Sequence, residues 1–369
     1  MNITKRENEI IKEISHDPMI SQLDLSKKLN ISRSSVAIHI MNLGKKGVIK
    51  GRGYILTEPS SITVIGGANI DIHGISNAKI KNGDSNPGKL KITPGGVARN
   101  IAENLRNLSL SCKLISAVGE DPHGEFLLKQ IDHAGIDSRY IIKDQLRPTS
   151  TYMSVVDNTG EMINAVSDME IISAITPSYL ESIKDIILRS EIIITDTNIS
   201  EESLGYIFNT FSKIPIFVDP VSTKKAKKIS AYLDKIHTLK PNLSEAEAIS
   251  GITMNNTKNL KLAVDWFHKK GLKKIFISMG KKGIYFSNAS ESGSVSLNKK
   301  IEVKNVSGAG DASMAVLVNA FKKNYGIKKS AYQALIAASL ALENKSTVNP
   351  LLTTKKITRI YNEFVSKKK

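Results

Sequence analysis

A run of small residues near the carboxyl end of the chain ends in an aspartate, Gly308-Ala309-Gly310-Asp311, and leads into an apolar stretch predicted to be a helix. Small residues leave consecutive backbone N–H groups accessible at a helix N-terminus, and such donors bind anions. A carboxylate at this positive end is expected to stay ionised, so it can accept the proton of a substrate hydroxyl. The run therefore predicts an anion hole beside a catalytic base, although a helix-start aspartate is often only a cap.

Two glycine pairs far upstream could hold a small molecule that carries hydroxyl groups. Gly66-Gly67 follows a β-branched run and precedes Asn69 and Asp71, whose amide and carboxylate suit hydroxyl groups. Gly95-Gly96 opens a predicted helix that contains Asn100. This second pattern is weak by itself, because many helix N-termini tolerate glycine.

A fourth motif lies where a predicted strand ends and an acidic helix begins. Its residues Asn242 and Glu245 have the spacing of a capping box, in which each side chain binds the backbone N–H of the other residue. On spacing alone, capping is the favoured interpretation of this pair.

Short β-branched runs that alternate with amphipathic stretches must position these motifs. The predicted strands are 62–65, 113–118, 192–195, 216–218, 238–240 and 274–278, and the predicted helices are 97–108, 124–134, 177–189, 201–213, 244–250 and 258–270. Such alternation indicates an α/β fold with a doubly wound parallel sheet, whose ligand site lies at the carboxyl ends of the strands. Residues 72–93 and 147–168 interrupt this alternation of strands and helices, and they are predicted to form a small β lid over that site.

The first 57 residues have a different pattern of apolar and capping residues, which predicts three helices followed by a small hairpin. The helices are expected to begin near Lys5, Ser21 and Ser32, and the hairpin strands are 48–50 and 54–56. This order resembles a winged helix-turn-helix, whose third helix enters the DNA major groove. Possible DNA-binding residues are Arg33, Ser34, Lys50 and Arg52; the alternative is a helical cap used for dimerisation or packing. Residues 58–61 are the expected linker, and 62–369 the second domain.

The composition indicates a globular protein with an ordinary apolar content. The 369 residues include 52 Lys and Arg against 35 Asp and Glu, a formal charge of +17. Only nine of the basic residues are Arg, and +13 of the charge lies after residue 58, so scattered solvated lysines explain most of it. The single cysteine, Cys112, excludes an intrachain disulfide. No signal peptide or membrane-spanning run is present in this sequence, so a cytoplasmic location is expected.

Together, in this order, the four motifs resemble the ribokinase-like family of carbohydrate and nucleoside kinases, also called the PfkB family, over about residues 60–350. The resemblance implies a three-layer fold and assigns Asp311 as the base that activates a hydroxyl for attack on the γ-phosphate of ATP. It assigns the anion hole to Gly308, Ala309 and Gly310. It also implies that Asn242 and Glu245 organise Mg²⁺-bound water, which outweighs the capping interpretation, although one carboxylate can do both.

The resemblance implies roles for further residues. The acceptor would be held by Asn69, Asp71, Gly95, Gly96 and Asn100, and the phosphates and nucleotide would be bordered by Asp219, Ser278, Gly280, Gly283 and Asn349. Family members commonly bind a monovalent cation such as K⁺ near the anion hole, although nothing in these residues requires one. A homodimer is the expected assembly.

Within the family, several tracts resemble the pseudouridine kinase subgroup, as does the fused helix-turn-helix. They contain Asp168, Asp196 and Asn198, which are expected to bind substrate, with Asp168 on the lid side. The implied reaction is transfer of phosphate from MgATP to the 5′-hydroxyl of pseudouridine. Two alternatives stay open. One is a kinase for ribose, fructose, adenosine or inosine, and the other is a transcriptional regulator that senses a nucleoside.

Overall fold

The computed structural model describes residues 3–49, 61–159, 161–297, 301–305 and 307–366. The chain divides into two compact units. One comprises Met1–Ser61 together with Glu181–Glu191, and the other comprises Ile62–Leu180 and Ile192–Lys369. The predicted linker lies almost entirely outside the described residues, as do Lys50 and Arg52 and most of the predicted hairpin.

The helices and strands are numbered in chain order. The α-helices are α1 Lys5–His16, α2 Gln22–Leu29, α3 Arg33–Lys45, α4 Val97–Asn107, α5 Pro122–His133, α6 Pro177–Ser182, α7 Lys184–Ile187, α8 Glu201–Thr210, α9 Thr223–Ala226, α10 Leu243–Ser250, α11 Thr257–Lys269, α12 Ala309–Lys322, α13 Ile327–Leu342 and α14 Thr354–Ser366. The strands are β1 Ser61–Ile65, β2 Asn69–Ser76, β3 Gly88–Gly95, β4 Cys112–Gly119, β5 Asp137–Asp144, β6 Thr151–Val156, β7 Met162–Asp168, β8 Ser190–Asp196, β9 Ile216–Asp219, β10 Thr238–Leu239, β11 Lys274–Ser278, β12 Ile284–Asn288 and β13 Ser292–Val295.

The main sheet has the order β13-β12-β11-β10-β9-β8-β1-β4-β5 among the described residues. The pairs β8–β9, β9–β10, β10–β11, β1–β4 and β4–β5 are parallel. Strands β12 and β13 are added antiparallel at one edge of the sheet. The central strands are continuous apolar runs, as expected of strands covered by helices on both faces. All six predicted strands belong to this sheet, and their carboxyl ends lie at one edge. The polar motifs that follow these strands in sequence therefore begin at that edge.

A separate sheet of order β3-β2-β6-β7 contains the two segments that the sequence assigned to a lid. Strand β2 leaves the main sheet through Gly66-Gly67 and pairs with β3 antiparallel and with β6 in parallel. Because side chains alternate along a strand, Asp71 and His73 lie on one face, and Ile72 lies on the other. The face of Ile72 also carries Ile92 and Met153, its direct cross-strand partners.

The N-terminal unit has the three predicted helices. Thr4, Ser21 and Ser32 cap α1, α2 and α3 through their side chains, and Asn30 ends α2 in the left-handed conformation. A small core forms from buried side chains of all three helices, namely Ile10, Ile14, Leu25, Val36 and Leu43, together with Ile20 and Val48.

Several details differ from the sequence-based expectations. The predicted helix 177–189 is broken into α6 and α7. Strands β5, β12 and β13 were not predicted: β5 and β13 contain many polar or small residues, and β12 is a run of only five residues. Ile38 of α3 is 54% exposed although it is a large apolar residue. Cys112 is buried. No helix in the described part of the chain is long and apolar enough to cross a membrane.

Candidate active site

Asp311 lies in the first turn of α12, and the residue before this helix has a left-handed backbone that favours glycine. Gly308 is the N-cap of this helix with φ 84°, and a side chain there would clash with the carbonyl of Thr347. The first N–H groups of a helix have no acceptor within it, so they point toward the space before the helix. The Asp311 carboxylate is buried, and its Oδ2 accepts a hydrogen bond from Asn100 Nδ2 at 2.8 Å.

The surroundings of Asp311 favour its protonated form more than the sequence suggested. Burial raises the pKa of Asp311, and the negative charge of Asp219 raises it further, to about 7. The hydrogen bond from Asn100 and the charge of Lys240 oppose this rise, and Asp196 adds to it. The expectation of a carboxylate kept ionised by the helix end leaves out burial and the charge of Asp219, which both raise the pKa of Asp311. A pKa near the working pH suits a general base.

A buried ion pair lies beside the anion hole. Lys240 Nζ is 3.0 Å from Asp219 Oδ2, and a Cβ added to Gly310 would come within 3.3 Å of the same nitrogen. Burial alone would lower the pKa of Lys240, but the charges of Asp219, Glu245 and Asp311 raise it. The ammonium group is therefore held in its charged form next to the N-terminus of α12.

Asn242 and Glu245 form the capping box that their spacing predicts. Asn242 Oδ1 accepts the Glu245 N–H, and Glu245 Oε2 accepts the Asn242 N–H, both at 2.9 Å. Burial raises the pKa of Glu245; the hydrogen bond from the Asn242 backbone lowers it, Asp219 raises it and Lys240 lowers it. Glu245 has a second oxygen, so capping leaves one carboxylate oxygen for another ligand.

A cavity of about 520 Å³ joins these groups. Its lining includes Asp219, Lys240, Asn242, Glu245, Ser278, Gly280, Gly283, Ala309, Gly310 and Asp311, and also Leu335 and Leu342 of α13. Polar and charged groups thus line the part of the cavity near α12, and apolar side chains of α13 line another wall. This combination fits a ligand with an anionic end and a flat apolar end.

Asn69 and Asp71 lie at the start of β2. Asn69 Nδ2 donates to Asp71 Oδ1 at 2.7 Å, and Asp71 lies so close to Gly95 that a side chain at position 95 would displace the carboxylate. Burial raises the pKa of Asp71, and Asn69, His73 and Arg99 oppose that rise. The second Asp71 oxygen is not used by Asn69, so it can accept from a hydroxyl group.

Asp196, at the end of β8, ties together the turns around this pocket. Its carboxylate accepts the N–H groups of Gly67, Ala98 and Asn198 at 2.9, 3.0 and 2.9 Å. Gly96, the N-cap of α4, packs against the Gly67 carbonyl. The side chain of Asn198 accepts a hydrogen bond from Lys225 at 2.6 Å. Asp196 is 1% exposed, so its contacts hold the pocket together.

Two predicted site residues are not brought to this cluster. Asp168 is exposed at the end of β7, opposite Thr151, which places it on the face of the small sheet that does not carry Asp71. Asn349 is buried, and its amide binds the Leu340 carbonyl and the Leu351 N–H, so it fixes a loop without lining the cavity.

Two charged residues within the motifs were given no role by sequence reasoning. Lys240 precedes Asn242 by two positions, and Arg99 precedes Asn100. Both are nearly inaccessible, at 6% and 3% exposure. The signal that could have singled them out is a charged residue within a motif that forms a ligand pocket, but a lysine or arginine is more often on the surface.

Arg33 and Ser34, the predicted DNA-binding residues that the structure describes, are exposed in the first turn of α3. This helix has no acidic residue, and Lys45 lies in its last turn. Its outward side also exposes Ile38 and Met41, at 54% and 51%. The side is thus basic at both ends and apolar in the middle.

Comparison with known families decides the class of the larger unit. A sequence model of the pfkB family carbohydrate kinases matches residues 59–354. The chain belongs to this family. It is therefore a phosphotransferase that acts on a hydroxyl group, and ATP is the phosphate donor in this family. A model of winged helix-turn-helix DNA-binding domains matches residues 3–50, which supports the interpretation of the N-terminal unit.

Similar proteins include kinases of small molecules. The pseudouridine kinase of Escherichia coli K12 is 43% identical over 301 residues, which cover 81% of this chain and 95% of that protein. An uncharacterized sugar kinase of the same bacterium, YeiI, is 34% identical over 351 residues, covering 95% of this chain and 97% of its own. The ribokinase of Arabidopsis thaliana, solved with ribose and ATP, shares the fold with a TM-score of 0.70 and 20% identity, covering 82% of this chain and 98% of that one.

Proposed function

We propose that the protein transfers the γ-phosphate of ATP to the 5′-hydroxyl of pseudouridine. The observation that carries the proposal is the hydrogen bond between Asn100 and Asp311, which joins the acceptor pocket to a base beside an anion hole. The choice of pseudouridine is supported by the 43% identity to a pseudouridine kinase over most of both chains.

The groups in the cavity divide the reaction between them. Asn69 and Asp71 hold hydroxyl groups of the acceptor, and Asp311 takes the proton of the attacking hydroxyl. The acceptor oxygen bonds to the γ-phosphorus while the bond between the γ-phosphorus and the oxygen that leaves with ADP breaks. Charge that builds on the transferred oxygens is met by Lys240 and by the N–H groups at the start of α12, which act through placement in a water-poor site.

The donor set fits Mg²⁺. Glu245 presents a carboxylate oxygen, Asn242 an amide, and Asp219 lines the same cavity, and hard oxygen ligands with retained waters are what this ion prefers. Asn242 and Glu245 would hold it through water, and the ion would neutralise phosphate charge. A monovalent cation near the anion hole stays a prediction of the family resemblance.

A substrate panel tests the assignment most directly. ADP release should be fastest with pseudouridine when it is compared with uridine, adenosine, inosine, ribose and fructose at equal concentration. Asp311→Asn should lower kcat about 10²-fold or more and leave ATP binding intact. A different best acceptor would overturn the substrate assignment only. Turnover of that variant at the wild-type rate would overturn the role of Asp311, and no turnover of any acceptor would favour a sensing protein.

We further propose that the N-terminal unit binds DNA through the outward side of α3. Arg33 and Lys45 match the negative charge of the phosphates, and Ile38 and Met41 offer apolar contacts of the kind made to thymine methyl groups in the major groove. Predicted contacts from Lys50 and Arg52 lie outside the described residues.

Fluorescence anisotropy with the upstream region of the protein's own gene tests this second role. Arg33→Ala should weaken binding about threefold or more and reduce its dependence on salt. Met19→Ala is the control, because Met19 is 80% exposed but lies outside α3. Replacing thymine by uracil in the duplex should weaken wild-type binding more than that of Ile38→Ala. Equal binding by Arg33→Ala and the control would contradict the proposal.

We also propose that a second copy of the chain covers the apolar face of the small sheet. This face is defined by Leu90, Ile92, Met153, Val155 and Val166, which are 77, 50, 48, 38 and 67% exposed. Ile92, Ile72, Met153 and Val166 form one row across all four strands. An exposed apolar patch of this kind marks an interaction site.

Light scattering after size exclusion tests the assembly. The wild type should have about twice the chain mass of 40.4 kDa, and Val166→Glu should be monomeric. Leu262→Glu is the matched control, because Leu262 is 51% exposed on α11. A dimeric Val166→Glu protein would refute this surface.

A further inference from the structure

Arg99 is a buried cation that the proposed reaction does not yet use. It lies in the first turn of α4, and it is 3% exposed. Arginine is rarely buried without partners, because its charge is costly to remove from water. Its place between the acceptor pocket and the base therefore needs an explanation.

The contacts of Arg99 reach several parts of the pocket. Its backbone N–H donates to the Gly67 carbonyl at 3.2 Å. Its Nη1 donates to the Pro94 carbonyl at 3.2 Å and to Asn100 Oδ1 at 2.9 Å. Its Nη2 forms an ion pair with Glu103, one turn later on α4. The guanidinium is thus held from two sides while it holds the Asn100 amide.

This contact determines which way the Asn100 amide faces. A guanidinium only donates, so the group that it binds must be the amide oxygen, Oδ1. The amide nitrogen then points the other way and donates to Asp311 Oδ2. A flipped amide would set oxygen against carboxylate and nitrogen against guanidinium, and both contacts would be repulsive.

Arg99 also belongs to the set of charges around the base. The carboxylates that raise its pKa against the effect of burial are Glu103, Asp71 and Asp311. The other charged groups that act on Asp311 are Asp219, Lys240 and Asp196. Of these groups, Arg99 and Lys240 are the cations, and Arg99 approaches from the acceptor side.

We infer that Arg99 is a positioning residue of the phosphoryl transfer: it locks the Asn100 amide so that Asn100 donates to Oδ2 of Asp311, and Oδ1 takes the proton of the acceptor hydroxyl. This inference rests on the proposed role of Asp311 as base. The hydroxyl proton moves to Oδ1 as the acceptor oxygen bonds to the γ-phosphorus, and ADP leaves with the electron pair of the broken bond. Arg99 neither gains nor loses a proton in this step.

The pH profile of kcat/KM for the acceptor, at saturating MgATP, tests the inference. Arg99→Met removes the charge and frees the amide to rotate, and both effects favour a protonated Asp311. The acidic limb should therefore move up by about half a pH unit or more, and kcat should fall about tenfold or more. Arg99→Lys keeps a charge but not the forked donor, so the limb should return toward its wild-type position while kcat stays low. Arg106→Met, on the same helix, should change neither.

A double variant separates positioning from packing. If Arg99 acts through Asn100, then Arg99→Met should cost little further activity in a chain that already carries Asn100→Ala. Additive losses in the double variant, or a fall in the kcat of Arg99→Met with its acidic limb unmoved, would show a merely structural role and overturn the inference. If Arg99→Met does not fold, as judged by circular dichroism, Arg99→Lys replaces it in the double variant with Asn100→Ala, and additive losses of activity there would overturn the inference. If Arg99→Met loses activity but Asp311→Asn keeps the wild-type rate, the proposed role of Asp311 as the base is refuted instead.

Discussion

Asp311→Asn is expected to make the protein more stable at alkaline pH while it lowers kcat about 10²-fold or more. In the folded protein the pKa of Asp311 is raised from its ordinary value of 3.8 to about 7. A raised carboxyl pKa means that the folded state binds the proton more tightly than the unfolded state. The stability that this preference contributes is present below pH 4 and is lost as the pH rises toward 7.

The size of the effect follows from the two pKa values. One pH unit between them corresponds to about 1.4 kcal/mol, so the ionised carboxylate costs about 4 kcal/mol of unfolding free energy at pH 8 and about 1.6 kcal/mol at pH 5. Asparagine has nearly the same shape, and its oxygen can still accept from Asn100, but neighbouring charges relax in the variant. We therefore expect about half of the full difference, or about 2 kcal/mol at pH 8 and less than 1 at pH 5.

Thermal unfolding of the ligand-free protein at both pH values measures this difference. A gain of about 2 kcal/mol should raise the Tm of the larger unit by about 3 °C at pH 8. Asp265→Asn is the matched control, because Asp265 is exposed on α11, and it should have no such pH-dependent effect. A variant that is less stable than wild type at pH 8, or equally stabilised at pH 5 and pH 8, would refute the reasoning.

Three further predictions concern the chemistry. The acidic limb of the pH profile of kcat/KM for the wild type should lie near pH 7, because Asp311 must be ionised to act as the base. Asp219→Asn should move this limb down by about one pH unit. A wild-type limb near pH 4 would contradict the argument that burial raises the pKa of Asp311. Lys240→Met should lower kcat about 10²-fold with little change in the KM for the acceptor, whereas Lys261→Met, at an exposed site, should not; equal kcat values would exclude Lys240 from the reaction. Glu245→Gln keeps a residue that suits the capping box, so its Tm should stay near that of wild type, but the Mg²⁺ concentration for half-maximal rate should rise about tenfold; a lowered Tm with unchanged Mg²⁺ dependence would leave Glu245 only its capping role.

The fold was largely predictable because its signals are local. Continuous apolar runs such as 192–195 can be satisfied only between two layers of helices, and a glycine-rich turn after a strand sets the pocket edge. The capping box of Asn242 and Glu245 and the left-handed Asn30 are equally local, and the structure shows each of them.

The electrostatics of the site could not be predicted in the same way. Arg99 falls on a helix whose pattern is amphipathic, so the sequence places it with the solvated residues; its burial depends on Pro94, Asn100 and Glu103 together. The raised pKa of Asp311 is caused first by burial and then by the charge of Asp219, and both depend on parts of the chain that are far away in sequence. Asp168 lies at the end of β7 in the small sheet, and the face that it occupies depends on the pairing register of β6 and β7, which no local signal reveals.

The hydrogen bond between Asn100 and Asp311 also has a consequence for synthesis of the chain. Its partners are 211 positions apart, and α12 packs late onto α4 in the order of the sequence. A nascent chain leaves the ribosome from its N-terminus, so Asn69, Asp71 and Asn100 are made long before Asp311. With Asp311 as the proposed base, phosphoryl transfer cannot begin before α12 has emerged and packed onto α4.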